Sequence, residues 1–199
     1  MVRSPPIESP NMSLALPASA SLQRTTALTA GVMPRFLALA AVVAGIDLLS
    51  KAVATGALSN ARVLSLSERI GFMLVYNTGT AGGLSIGPYT WAVNVLVTLG
   101  AIAMVLRIVQ ALADVDPRST LPLALVTGGA AGNLASMMVG PQGVADFIAV
   151  QITQSSTMIL NVADLFLWSG ALLLVPVVVR LVNAVRAEQR NRGFARITA

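Results

Sequence analysis

Four long apolar runs constrain this chain more than any other feature. They lie at about Phe36 to Leu58, Tyr89 to Ala113, Leu121 to Val139 and Met158 to Val182. Runs of this length reach across about 30 Å of hydrocarbon as helices. In hydrocarbon every backbone polar group must be satisfied internally, so each run is restricted to a helix. The pattern predicts a four-span, all-α membrane bundle.

Composition agrees. The 199 residues are 55% hydrophobic and 11% charged, with mean hydropathy +0.78. Soluble domains carry about 25% charged residues. The net charge of +5 does not signal nucleic acid. Arginines gather after Arg180 and flank the apolar runs, as a positive-inside bias places them, and aromatic residues for base stacking are scarce. The chain contains no cysteine and no histidine. That excludes disulfides, thiol nucleophiles, zinc sites built on His and Cys, and a Ser-His relay. No metal or cofactor is expected.

Residues 1–32 are rich in Ser, Pro, Thr and Ala and read as a disordered extension. Prolines break any apolar core a secretory signal would need. Met12 and Met33 are alternative translation starts. A membrane domain over 33–186 and a basic tail over 187–199 follow.

Between the first two runs, Arg62-Val-Leu-Ser-Leu and Gly71-Phe-Met-Leu-Val-Tyr-Asn77 read as strands, and a glycine-rich loop follows them. This is a small β element outside the bilayer. The loop lacks the lysine of a phosphate cradle. Tyr89 and Trp91 open the second run as an aromatic belt. In the third, Gly128 and Gly132 form a face suited to close helix packing, and Asn133 is a buried amide in need of partners. Residues 140–157 read as a loop without Lys or Arg. Arginine placement puts both termini in the cytoplasm and the β element on the outer side.

Only 8 residues are acidic, and an acid in a bilayer is a functional-site hypothesis by default. Asp146 falls in the 140–157 loop, just outside or at the start of its membrane contact. Asp164 falls about two turns into the fourth run, at similar depth. Two adjacent carboxylates share a proton at neutral pH. The ionised one can activate water while the neutral one hydrogen-bonds a carbonyl, which is the logic of an aspartic protease. The bland alternative is two separate structural caps. Asp47 and Lys51 share a helix face. They either end the first span as an interfacial ion pair or serve the site directly. Ser50 and Lys51 are adjacent, point about 100° apart on a helix, and make a poor Ser-Lys pair.

Taken together, these motifs resemble the bacterial lipoprotein signal peptidases (type II signal peptidases) over residues 36 to 182. Asp47-Leu-Leu-Ser-Lys51 is similar to the family's Asp-x-x-[Ser/Thr]-Lys. Phe72 to Ala81 resembles its strand followed by Asn-x-Gly-x-Ala. Gly128-Gly-Ala-Ala-Gly132-Asn133 matches Gly-Gly-Ala-x-Gly-Asn. Val144-Ala-Asp146-Phe147 and Asn161-Val-Ala163-Asp164 match its two aspartate motifs. The resemblance implies an intramembrane aspartyl endopeptidase of the bacterial inner membrane, working near the outer face. It would cut diacylglyceryl-modified prolipoproteins just before the lipidated cysteine. The implied fold is four transmembrane helices with an extracytoplasmic β-cradle between spans one and two. Asp146 and Asp164 would be catalytic. Asn77, Gly79, Asn133, Asn161 and Ala163 would line the site, with Asp47 and Lys51 in support. Partners would be the prolipoprotein and membrane lipid, with no nucleic acid, and the chain would act as a monomer.

Two departures stand out. The family continues Gly-Asn-x-x-Asp-Arg, and this chain has Ser136-Met137 in place of the acid and the arginine. Loss of that cation should raise the carboxyl pKa values. The family's Ala-Phe-Gly is Ala81-Gly82-Gly83 here, a more flexible loop. The alternative function is a catalytically inactive paralogue that binds lipoproteins or helices. A proton or solute pathway would need acids spread through the bilayer depth.

Overall fold

The computed structural model describes residues 31–59, 62–78, 85–139 and 143–197. Residues 1–30 of the expected 1–32 extension, Gly79 and the Ala81-Gly82-Gly83 segment lie outside the described residues, and Val32 already belongs to the first helix.

Helix α1 (Val32–Ala57) is 26 residues long, about 39 Å at 1.5 Å per residue. Pro34 sits in its first turn, where a missing N–H leaves no bond unmade. Strands β1 (Val63–Ser65) and β2 (Ile70–Asn77) follow. A short 3₁₀ turn at Gly87–Tyr89 leads into α2 (Thr90–Val115). Thr90 Oγ1 fixes this entry by accepting from the Ile86 N–H at 2.9 Å and donating to the Gly87 carbonyl at 2.7 Å. A second 3₁₀ turn, Pro117–Ser119, leads into α3 (Thr120–Val139). Then come β3 (Val144–Thr153), β4 (Ser156–Leu160) and α4 (Val162–Ile197).

Among the described residues, four helices are long and apolar enough to cross a membrane. Their outward faces carry exposed Leu49, Leu96 and Leu172, side chains that hydrocarbon would cover. Helix α3 is central and lies against α1 and α4 because its glycines permit it. A Cβ on Gly128 would sit 2.6 Å from the Ala40 carbonyl, and one on Gly129 would sit 2.7 Å from that of Ala163. Phe36, Val109 and Leu123 fill the bundle at one end. Ala54, Leu58 and Phe147 join helix to sheet at the other.

The sheet differs from the expected two-strand element. Among the described residues it has four antiparallel strands in the order β1-β2-β3-β4. Half of it comes from residues 144–160, which read from sequence as loop and as the start of the fourth span. The exposed edge of β2 is the reason. Its unpaired backbone groups are satisfied by β3, whose Val144 to Phe147 are all buried. The fourth helix therefore begins at Val162, after β4, and Asp164 lies in its first turn rather than two turns in.

Candidate active site

Asp146 owes its position to β3. The β2–β3 pairing shifts register between Phe72 and Val75, and Asp146 stands opposite Val75 immediately after the shift. Such a bulge turns side chains that a regular ladder would leave in line. Gly143 makes the entry to β3 possible. Its φ is +101°, and a Cβ there would collide with the Asn77 carbonyl.

Asp164 is placed by the start of α4. Asn161 precedes the first helical residue, and its Oδ1 accepts from the Asp164 N–H at 3.1 Å. Asp164 Oδ2 in turn accepts from the Asn161 N–H at 3.0 Å. This reciprocal pair is a capping box built on Asn and Asp. Asn161 also donates from Nδ2 to Asp146 Oδ1 at 2.6 Å. One residue, 1% exposed, thus bonds both carboxylates, Asp146 through its side chain and Asp164 through its backbone N–H.

The opposite side of Asp164 is held from the bundle. Asn133 Nδ2 donates to Asp164 Oδ1 at 3.1 Å. Asn133 Oδ1 accepts from Lys51 Nζ at 2.6 Å. Lys51 also pairs with Asp47 Oδ2 at 2.6 Å, and Asp47 Oδ1 accepts from the Ala163 N–H at 2.8 Å. Asp47 and Lys51 are buried. Of the two readings left open for them, the structure places the pair inside the bundle and in contact with the residues around Asp164. Ser50 faces elsewhere, donating to the Asp47 carbonyl at 2.7 Å.

Burial pushes the Asp146 carboxyl up from the ordinary carboxylate range. The Asn161 hydrogen bond opposes that shift, and the nearby Asp164 charge adds to it. A side-chain hydrogen bond from Asn77 and the Lys51 charge oppose it more weakly. The direction matches the expectation drawn from the missing arginine, but burial is the main cause. Among the described residues no cluster of acids could hold a metal ion.

Beside the aspartates lies a cavity of about 500 Å³ lined by Asn77, Trp91, Asn94, Met137, Met138 and Gly143, among others. The aspartates are not in its wall. Asn77 is the residue common to both, since it also hydrogen-bonds Asp146. In sequence terms Trp91 is only a belt residue. In the fold its indole N–H donates to the Met137 carbonyl at 3.2 Å, tying the start of α2 to the end of α3. No spacing in the sequence announces a bond 46 residues apart. Of the residues that the sequence points to, Asp47, Lys51, Asn77, Asn133, Asn161, Ala163, Asp146 and Asp164 form one connected network. Gly79 lies outside the described residues.

Comparison with known proteins follows the same lines. A lipoprotein signal peptidase of Mycolicibacterium smegmatis is 33% identical over 148 residues, 70% of this chain and 58% of that one. One from Bifidobacterium longum (strain DJO10A) is 28% identical over 141 residues, 70% of this chain and 75% of that one. Two solved structures described as a bacterial membrane enzyme share the fold. The first has TM-score 0.64 at 19% identity, covering 74% of this chain and 88% of that one. The second has TM-score 0.63 at 19% identity, covering 73% and 92%. The sequence profile of the signal peptidase (SPase) II family matches residues 39–180, and with that match over most of its length the chain belongs to the signal peptidase II family.

Proposed function

We propose that this chain is an intramembrane aspartyl endopeptidase that removes the signal peptide from diacylglyceryl-modified prolipoproteins, cutting just before the lipidated cysteine. The observation that carries the reading is the joining of the Asp146 and Asp164 carboxylates through one residue, Asn161, whose side-chain amide donates to Asp146 and whose backbone N–H donates to Asp164. Asp146, buried and raised, holds the proton of the pair. Its partner Asp164 takes a proton from the attacking water. Oxygen from that water bonds to the scissile carbonyl carbon, whose oxygen is hydrogen-bonded by the Asp146 proton. Collapse of the tetrahedral intermediate breaks the C–N bond, and a proton passes to the leaving amine. The products are a new carboxyl end on the signal peptide and a free amine on the lipidated cysteine. The route calls on neither cysteine nor histidine, and the chain has neither.

Orientation follows from charge. Arg35, Arg107, Arg118, Arg180, Arg186 and Arg190 lie in the helix halves and the turn remote from the sheet, against Arg62 and Arg69 beside Glu68 on the sheet side. A positive-inside arrangement puts both termini in the cytoplasm and the sheet, with both aspartates, at the outer face of a bacterial inner membrane. Both carboxylates come from one chain, so a monomer suffices. The binding-only alternative offers no reason to keep two carboxylates joined at a buried position, where burying them is unfavourable.

The test is reconstitution in liposomes with a preprolipoprotein bearing the diacylglyceryl cysteine, beside the same preprotein without the lipid. Cleavage of the lipidated form just before its cysteine is expected. A folded protein that binds the lipidated form and leaves it intact would transfer the assignment to the binding-only paralogue.

A further inference from the structure

Lys51 does more than an ion pair requires. It is 4% exposed in an apolar span, where a buried cation is unfavourable unless all its donors are used. Asp47 alone would neutralise it. Its Nζ nonetheless also reaches Asn133 Oδ1, on a different helix and 82 residues away, at 2.6 Å. An ammonium has donors and no acceptor. It therefore dictates which end of the Asn133 amide faces it, and the NH₂ end is sent toward Asp164 Oδ1, 3.1 Å away. Without the ammonium, only the Asp164 carboxylate itself favours this orientation of the amide, and the Asn133 oxygen loses the donor that anchors it to α1. Gly132 makes the arrangement possible, because a Cβ there would collide with the Asp47 carboxylate.

We infer that Lys51 is a positioning residue for Asp164, acting through the amide of Asn133. The inference rests on the dyad reading and goes beyond simple support of the first span. Three carboxylates surround the ammonium: Asp47 on its own helix at 2.6 Å, Asp164 on α4 through Asn133, and Asp146 on β3, whose carboxyl its charge draws downward. Loss of the charge accordingly moves the pH–rate profile upward.

Lys51→Met alone would strand the buried Asp47 charge, so the test is a double-mutant cycle in an Asp47→Asn background. Asparagine at 47 keeps an oxygen for the Ala163 N–H. In that background Lys51→Met is expected to lower kcat on the order of 10- to 100-fold, as loss of orientation does, with KM little changed. When Asn133→Ala is already present, Lys51→Met should have no further effect. Equal losses with and without Asn133 would overturn the inference, as would a fall in melting temperature with kcat intact. A second readout needs no turnover. The Asp164 carboxylate infrared band, identified by its absence in Asp164→Asn, should shift in Lys51→Met, and an unmoved band would contradict the inference. Failure of the dyad reading looks different, because Asp146→Asn would then still cleave.

Discussion

At the scale of single residues, Asp146 is a carboxyl that works against the stability of its own fold. It is 5% exposed, and burial raises its pKa above that of an unfolded chain. A folded value above the unfolded one means that stability is full below the ordinary carboxylate range and is lost as the pH rises through the raised value. Asp146→Asn imitates the protonated form and keeps an oxygen for Asn161. It should therefore raise the melting temperature in detergent at alkaline pH by roughly a few degrees, with no gain at acid pH. Cleavage should be abolished throughout. A melting temperature equal to or below wild type at high pH would contradict the electrostatic argument. In the same spirit, Asp164→Asn removes the neighbouring charge that adds to the shift. The Asp146 carboxyl should then titrate lower than in wild type, though still above the ordinary range because burial remains; titration followed by infrared spectroscopy checks the direction. Both aspartates are legible in the sequence, because acids are so rare in it. Asn161 as the joint between them is not legible from spacing alone. Its bond to Asp146 depends on a strand pairing that brings β3 over the start of α4.

Helices and strands show a different division between what sequence declares and what folding adds. Glycines on α3 stand out as a packing face, and the structure gives each a specific neighbour. Gly128→Ala would drive a Cβ against the Ala40 carbonyl and Val43, and overpacking of this kind destabilises by about 1–3 kcal/mol. Gly45→Ala on the outward face of α1 meets nothing within 4 Å and should leave stability unchanged. Unfolding midpoints of the two variants in mixed micelles separate these outcomes, and equal midpoints would contradict the close approach of α1 and α3. The 144–160 hairpin is the element that sequence reading loses. Asp146 within it, and the polar Thr153-Gln154-Ser155-Ser156-Thr157 stretch before Met158, favour loop over strand. Yet Phe147, Ile148, Val150, Ile152 and Thr153 form a run rich in aromatic and β-branched residues, the side chains enriched in strands. The deciding contact is non-local: β3 pairs with β2, about seventy residues earlier in the chain.

For the whole molecule, the apolar pattern by itself reveals four spans, while the shared sheet that links the first and third connections depends on long-range pairing. At the arginine-rich end, Asp116 closes the bundle. Its Oδ2 accepts from Arg180 Nη1 at 2.7 Å, and that bond holds the carboxyl below its ordinary value. Cytoplasmic placement of this end is testable because the chain has no native cysteine. Ser155→Cys, in the β3–β4 turn, should react with a membrane-impermeant maleimide on intact spheroplasts, and Glu188→Cys only after lysis. The reverse pattern would invert the topology. In the proposed mechanism two carboxylates, one from β3 and one from the first turn of α4, act as a pair. The most direct measurement is single-turnover cleavage of a diacylglyceryl-prolipoprotein in liposomes by wild type, Asp146→Asn, Asp164→Asn and the double variant. Each single substitution is expected to lower activity by on the order of 10²–10⁴-fold or more. The double variant should be no worse than either, as residues acting as one unit behave. Substantial cleavage by either single variant, or losses that multiply in the double, would contradict the pairing.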